Sequence, residues 1–365
     1  VDKPKLYAGL MSGTSLDGID AVLVDFSGNM PDLRATHYRP YDAELKQALL
    51  AMHQPSGNEL HDASLLGNRL AQEYAAAIAA LLQDAAVTPA DVRAIGCHGQ
   101  TIRHRPDAGY TLQLGNAALL AELSGSTVVG DFRSRDIAAG GQGAPLAPAF
   151  HQQVLRHPDI HRVIVNVGGI SNLTDLPSQG TVTGFDCGPG NMLMDAWTMQ
   201  HLSQPYDTDG KWAASGTVLP ELLNTLMREP FLSAPPPKSS GRELFNLQWL
   251  EQHLSGSEVP ADVQATLLAL SVHAIADAVR EHCQGAREIY LCGGGARNPA
   301  LSQQLAAALP ACTIQATDTL GVDADWMEAM AFAWLAQQTM HGNRIDLSAT
   351  TGARHPCILG AIYQA

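Results

Sequence analysis

Three short runs of small and hydroxyl-bearing residues, each directly after an apolar stretch, could do chemistry. The first, "SGTSLDGID", holds Ser12, Gly13, Thr14, Ser15, Leu16, Asp17, Gly18, Ile19 and Asp20. The second, "GGISN", holds Gly168, Gly169, Ser171 and Asn172; the third, "GGGARN", holds Gly293, Gly294, Gly295 and Asn298. A turn of small residues lets backbone N–H groups converge on one point, and glycine reaches the left-handed angles such a nest needs. Nests of this kind bind phosphate oxygens. One such turn is no more than a hairpin requires. Three turns, two of them in matching positions of two halves, point to a nucleotide site.

Other candidates carry acid–base or hydrogen-bonding chemistry. "GFDCGPGN" puts Asp186 at the end of a strand, before a rigid Gly-Pro-Gly turn. A carboxylate there suits a general base, and equally a cap on the following helix near Asn191. "GCHGQTIRHRP" offers His98, Gln100, Thr101 and Arg103 in a turn after a strand. In "GDFRSRD", Arg133 and Arg135 could hold a ligand carboxylate bidentately, or pair with Asp131 or Asp136. Glu328 lies in "DADWMEAMAFAWLA" with Ala331, Phe332 and Leu335 at helical spacing. A carboxylate on that stripe needs a partner, a ligand hydroxyl for instance, unless it reaches solvent at the rim.

The elements that must position these groups alternate between strand-like and helical patterns, which predicts an α/β fold. "LYAGLMS" and "IDAVLVDFSG" read as strands joined by the first turn. A long helix follows, with Leu66, Leu70, Tyr74, Ile78 and Leu81 on one face. "VRAIGC" and "STVVGDF" read as strands, and "NAALLAELSG" as a helix before the second of these. "GDFRSRDIAAGGQGAPLAP" reads as a glycine-rich loop and hinge, and "SAPPPKSSGRE" as an exposed Pro/Ser insertion. "HRVIVNVGGISNLTDL" then repeats the opening theme of strand, small-residue turn, strand. The expected architecture is two similarly built lobes with a nucleotide cleft between them. One comprises residues 1–133 plus 345–365, the other residues 134–344.

Composition narrows the function. The 365 residues are 45% hydrophobic and 16% charged with a net charge of −14, so no broad basic face is offered to nucleic acid or anionic lipid. The longest apolar run, near "AAAIAALL", is too short for a membrane span, and "VDKPK" leads into a strand without a signal-peptide core. Six scattered cysteines without C-x-x-C spacing fit a reducing cytoplasm. Neither G-x-x-x-x-G-K-[ST] nor G-x-G-x-x-G follows the first strand. That leaves one hairpin per lobe to clamp the phosphates, with the third glycine turn behind the adenosine.

The ordered set "GLMSGTSLDGID", "GCHGQTIRHRP", "NVGGISNLT", "GFDCGPGNMLMDAW", "DGKWAASG", "PPKSSGRELFN", "GGGARNPAL" and "TGARHPCILGAIY" resembles the anhydro-N-acetylmuramic acid kinases. These belong to the superfamily of sugar kinases, actin and heat-shock ATPases. The resemblance implies ATP with Mg2+, and a reaction in which water opens the 1,6-anhydro ring while O6 receives the γ-phosphate. The product would be N-acetylmuramic acid 6-phosphate, an intermediate of cell-wall recycling. It carries the catalytic base to Asp186; beside it, the glycine turns are read as phosphate-binding and His98, Gln100, Thr101, Arg133 and Glu328 as contacts to the sugar. It assigns no metal ligands: "GLMSG" lacks the acid that many superfamily members place there, leaving Asp17 or Asp20 as substitutes, or the ion held mostly by phosphates and water. A homodimer stays open. The competing readings are a kinase acting on a free sugar hydroxyl, a chaperone-like ATPase, and a sugar-sensing repressor. The last two lack, respectively, an appended peptide-binding region and a basic helix-turn-helix.

Overall fold

The computed structural model describes residues 6–13, 15–28, 30–242 and 244–365. Thr14 therefore lies outside the described residues. The chain forms two compact units, Val1–Phe150 with Trp326–Ala365, and His151–Asp325.

The first unit contains β1 (Leu6–Met11), β2 (Gly18–Asp25), β3 (Asp32–Pro40), β4 (Val92–Cys97), β5 (Gln100–Arg105), β6 (Tyr110–Leu114) and β7 (Val128–Gly130). The second contains β8 (Arg162–Val167), β9 (Ile170–Leu176), β10 (Thr183–Pro189), β11 (Glu288–Cys292) and β12 (Thr313–Ala316). The chain returns to the first unit and ends with β13 (Ala361–Tyr363). The sheet orders are β13-β7-β4-β1-β2-β3 and β10-β9-β8-β11-β12, with β5 and β6 as a separate ribbon. In each sheet an antiparallel three-strand meander (β1-β2-β3, β8-β9-β10) starts from a strand whose other neighbour is parallel (β4, β11). A further parallel strand follows, β7 or β12. One plan is built twice, as the repeated strand–turn–strand theme predicts.

The sequence explains why. "RVIVNV" supplies consecutive buried residues Val163, Ile164 and Val165, the signature of a strand covered on both faces. "DLRATHYRP" never becomes fully buried, as suits the edge strand β3. The predicted long helix runs Glu59–Asp84, with Leu70, Tyr74, Ile78 and Leu81 buried. The apolar helix Pro260–His282 has the length to cross a membrane, but it lies buried in the second unit's core.

Three expectations need adjustment. The contacts divide the chain after Phe150 and Asp325, not after 133 and 344: helix Phe132–Ala138 packs on β6, and helix Met327–Met340 packs on β1, β2 and β4. The supposed loop at 130–148 contains helix Phe132–Ala138 and the start of helix Ala147–Leu155. Its glycines dominate the composition, yet buried Asp136 fastens the segment: it accepts from Gly143 N at 2.7 Å and Thr351 Oγ1 at 2.8 Å. The supposedly exposed insertion at 233–243 carries Lys238, which is buried.

Burial also fixes a pH response. His151 is buried with Nδ1 against Thr174 Oγ1, and desolvation lowers its pKa from 6.5 to about 3. The unfolded chain then binds the extra proton first, so stability is complete above 6.5 and is lost as pH falls toward 3. Urea unfolding should show a loss from this one ring of about 2 kcal/mol between pH 6.5 and 5. The pH slope should be shallower in His151→Phe. An identical slope in both proteins would contradict this.

Candidate functional site

The first turn joins β1 to β2, whose register pairs Met11 with Asp20. Its apolar members anchor it: Leu16 and Ile19 are buried in the first unit's core. Gly18 is required, since a Cβ there would come within 2.9 Å of Pro40 Cα and the Tyr38 ring. Buried Ser12 shares a 2.8 Å hydrogen bond with Tyr74 Oη and donates to Gly99 O. Its hydroxyl is thus engaged within the protein. Gly13 and Ser15 stand at the open part of the turn, a Cβ on Gly13 meeting only Ser15 Oγ at 3.8 Å. Asp17 pairs with Lys46 at 3.0 Å, and partly exposed Asp20 lies on β2.

Behind this turn sit residues that the sequence reading gives to the sugar. Gln100 Nε2 donates to Gly13 O at 3.1 Å, and His98 Nδ1 faces Ser12 O at 3.3 Å. Arg133 Nε donates to His98 Nε2 at 3.0 Å, and its Nη1 donates to Gly143 O. His98 Nε2 must therefore accept, which leaves the proton on Nδ1 to donate to Ser12 O. Burial, reinforced by the Arg133 charge, pushes the His98 pKa well below 6.5 and keeps the ring neutral. His98 and Gln100 thus brace the first hairpin. Thr101 belongs to the ribbon instead, accepting from Gln113 Nε2 at 3.2 Å. Glu328, partly exposed, opens helix Met327–Met340. One turn on, Phe332 packs against His98 with ring centroids 4.7 Å apart. Arg133, His98 and Phe332 therefore form one neighbourhood of the first unit, with Glu328 one helical turn before Phe332.

The second unit gathers the remaining candidates. The Gly168 and Gly169 carbonyls accept N–H bonds from Asn191, Gly190 and Met192, so the second turn is tied to the start of helix Met192–Leu202. Ser171 is fully buried beneath Gly190. The third turn packs against the end of β8, just before the second: Cβ atoms at Gly293 and Gly295 would collide with Asn166 and Val167. The open space is at Gly294. Asn298 caps helix Pro299–Ala308, its Oδ1 accepting from Ala300 N and Leu301 N.

Asp186 lies near the end of β10, directly opposite Asn172 on β9, which is in turn opposite Asn166 on β8. Directly paired residues share a sheet face, so a polar row crosses the sheet beside the glycine turns. The register shift between Asp186 and Gly188 leaves Cys187 as the extra residue. Asp186 does not cap the following helix; Asn191 holds that position. Instead, Asp186 Oδ2 accepts from Ser240 N at 2.9 Å, and Asp186 N donates to Lys238 O at 3.1 Å.

Sequence reasoning missed Lys238, Ser240 and Asn166. "KSSG" reads as a solvated loop, and its long-range pairing with β10 leaves no local pattern. Asn166 was legible in principle, as a polar residue interrupting "VIVNV". Lys238 Nζ donates to Phe231 O at 3.0 Å and Leu232 O at 2.8 Å, and burial lowers its pKa below the ordinary lysine value. Among the described residues no group of three or more His, Cys, Asp or Glu side chains could hold a metal.

With this geometry in hand, the likeness to known proteins is specific. The family described as anhydro-N-acetylmuramic acid kinase matches residues 5–365. A protein of that name from Nitrosospira multiformis is 58% identical over 365 residues, covering 100% of both chains. One from Nitrosomonas europaea is 56% identical, covering 98% of this chain and 99% of its own. One from Pseudomonas putida is 50% identical, covering 99% of each.

Proposed function

This chain belongs to the anhydro-N-acetylmuramic acid kinase family, and from that premise we propose that it uses ATP to convert 1,6-anhydro-N-acetylmuramic acid into N-acetylmuramic acid 6-phosphate. Asp186 takes a proton from the water that attacks the anomeric carbon. The C1–O6 bond breaks, and O6 attacks the γ-phosphorus as ADP leaves.

The observation that carries this reading is the environment of Asp186. Its carboxylate receives a backbone N–H from Ser240 and stands across from Asn172 beside the second glycine turn. A backbone donor fixes the direction of one carboxylate oxygen, which a base needs. The open positions Gly13, Ser15 and Gly294 are assigned nucleotide contacts through backbone N–H groups. Ser12, Leu16, Ile19, Ser171 and Asn298 act by holding their turns in shape, given what their side chains already touch. Arg133 and Glu328 are assigned to the sugar, with His98 and Gln100 supporting the first hairpin. Magnesium belongs to the proposal only as an ion carried by the ATP phosphates, because the described residues form no carboxylate cluster of their own. A cytoplasmic location agrees with six free cysteines.

The test is product analysis with ATP and the anhydro sugar, using free N-acetylmuramic acid as control. ADP and the 6-phosphate should form one for one from the anhydro sugar. Comparable turnover of the free sugar would favour a conventional hydroxyl-directed kinase.

A further inference from the structure

The segment 231–240 folds back on itself around a single buried ammonium. Lys238 is 7% exposed, yet it reaches two carbonyls at the end of the short helix Pro230–Ser233. Its Nζ also lies 4.9 Å from the Phe231 ring centroid and 5.8 Å from that of Phe185, the residue before Asp186 on β10. Burying a charge is costly unless donors and acceptors are matched. Here the charge closes a strap whose other groups meet one residue: Lys238 O accepts from Asp186 N, and Ser240 N donates to Asp186 Oδ2.

We propose that Lys238 is a positioning residue that sets the direction of the Asp186 carboxylate through this strap. The inference rests on the reading of Asp186 as the base. With the ammonium in place, residues 238–240 lie against β10, and the Ser240 N–H fixes one carboxylate oxygen. Without it, the Leu232 carbonyl loses the Lys238 donor and the Phe231 carbonyl is left with Ala234 N, the strap shifts, and the carboxylate loses its alignment with the attacking water. A base displaced by about 1 Å costs on the order of 100-fold in rate while leaving ground-state binding intact.

Steady-state kinetics of Lys238→Met and Lys238→Arg, alongside Asp186→Asn and the double variant Asp186→Asn/Lys238→Met, test this. Lys238→Met should lower kcat roughly 10- to 100-fold with both KM values within about threefold of wild type. Lys238→Arg keeps N–H donors and a cation beside the rings, and should restore kcat to within about threefold. The double variant should be no slower than Asp186→Asn alone, since both changes disable one group. Losses that multiply in the double variant would overturn the proposal. So would KM rising with kcat unchanged, or an Arg variant as slow as the Met variant. Should Lys238→Met fail to fold, the folded Arg variant decides by its kcat. An Asp186→Asn enzyme that keeps its turnover would instead remove the base reading, a result separable from any Lys238 effect.

Discussion

Asp186→Asn should reduce turnover by about 100- to 10,000-fold, equivalent to about 3 to 5.5 kcal/mol of barrier. Asparagine keeps the shape of the side chain, and its Oδ1 can still accept from Ser240 N, so the strap over β10 should survive. What it loses is the ability to take a proton from water. Nucleotide binding should stay within about twofold, because the glycine turns present backbone groups that the substitution leaves alone. Stopped-time product assays with isothermal titration of an ATP analogue check both halves. Retention of more than about a tenth of wild-type turnover would remove Asp186 from the role of base.

The second large effect concerns packing. Gly96 of β4 and Gly9 of β1 lie under helix Met327–Met340 at van der Waals limits. A Cβ on Gly96 would stand 2.7 Å from the Phe332 carbonyl carbon, and one on Gly9 would stand 2.9 Å from that of Ala329. Both clashes are with backbone, so no side-chain rotation relieves them. Gly96→Ala should therefore destabilise the protein by about 3 kcal/mol, the upper range of overpacking costs. It should also impair activity in the surviving folded fraction, because Phe332 packs on His98, which braces the first hairpin. Urea unfolding checks the first point, and a change below about 0.5 kcal/mol would mean that the helix moves freely over the sheet.

These particulars show how much was legible beforehand. The paired strand–turn–strand units were readable because β1, β2, β8 and β9 are local hairpins whose apolar runs and small-residue turns adjoin in sequence. Asp186 stands out for its place before Gly-Pro-Gly, and its role as base comes from the family resemblance. Its environment was not legible: Ser240 lies 54 residues further on, in a segment whose composition suggests solvent. His98 and Gln100 were flagged as polar residues in a turn, but only the fold reveals that they hold the carbonyls of Ser12 and Gly13. Asn298, read with the glycine turn, also caps helix Pro299–Ala308 in the structure, a role its position before Pro299 signals. The second boundary differs because nothing local to 326–344 says that this helix packs against β1, β2 and β4, far back in the chain.

The central claim is that one water, activated by Asp186, opens the anhydro ring while O6 takes the phosphoryl group. Running the reaction in 18O-labelled water and locating the label by mass spectrometry tests it most directly. The account predicts label on the anomeric hydroxyl alone, none in the transferred phosphate, and no ring opening when ATP is withheld. Label in the phosphate would mean that water attacks phosphorus. Ring opening at full rate without nucleotide would mean two separate activities, and either result would contradict the coupled mechanism.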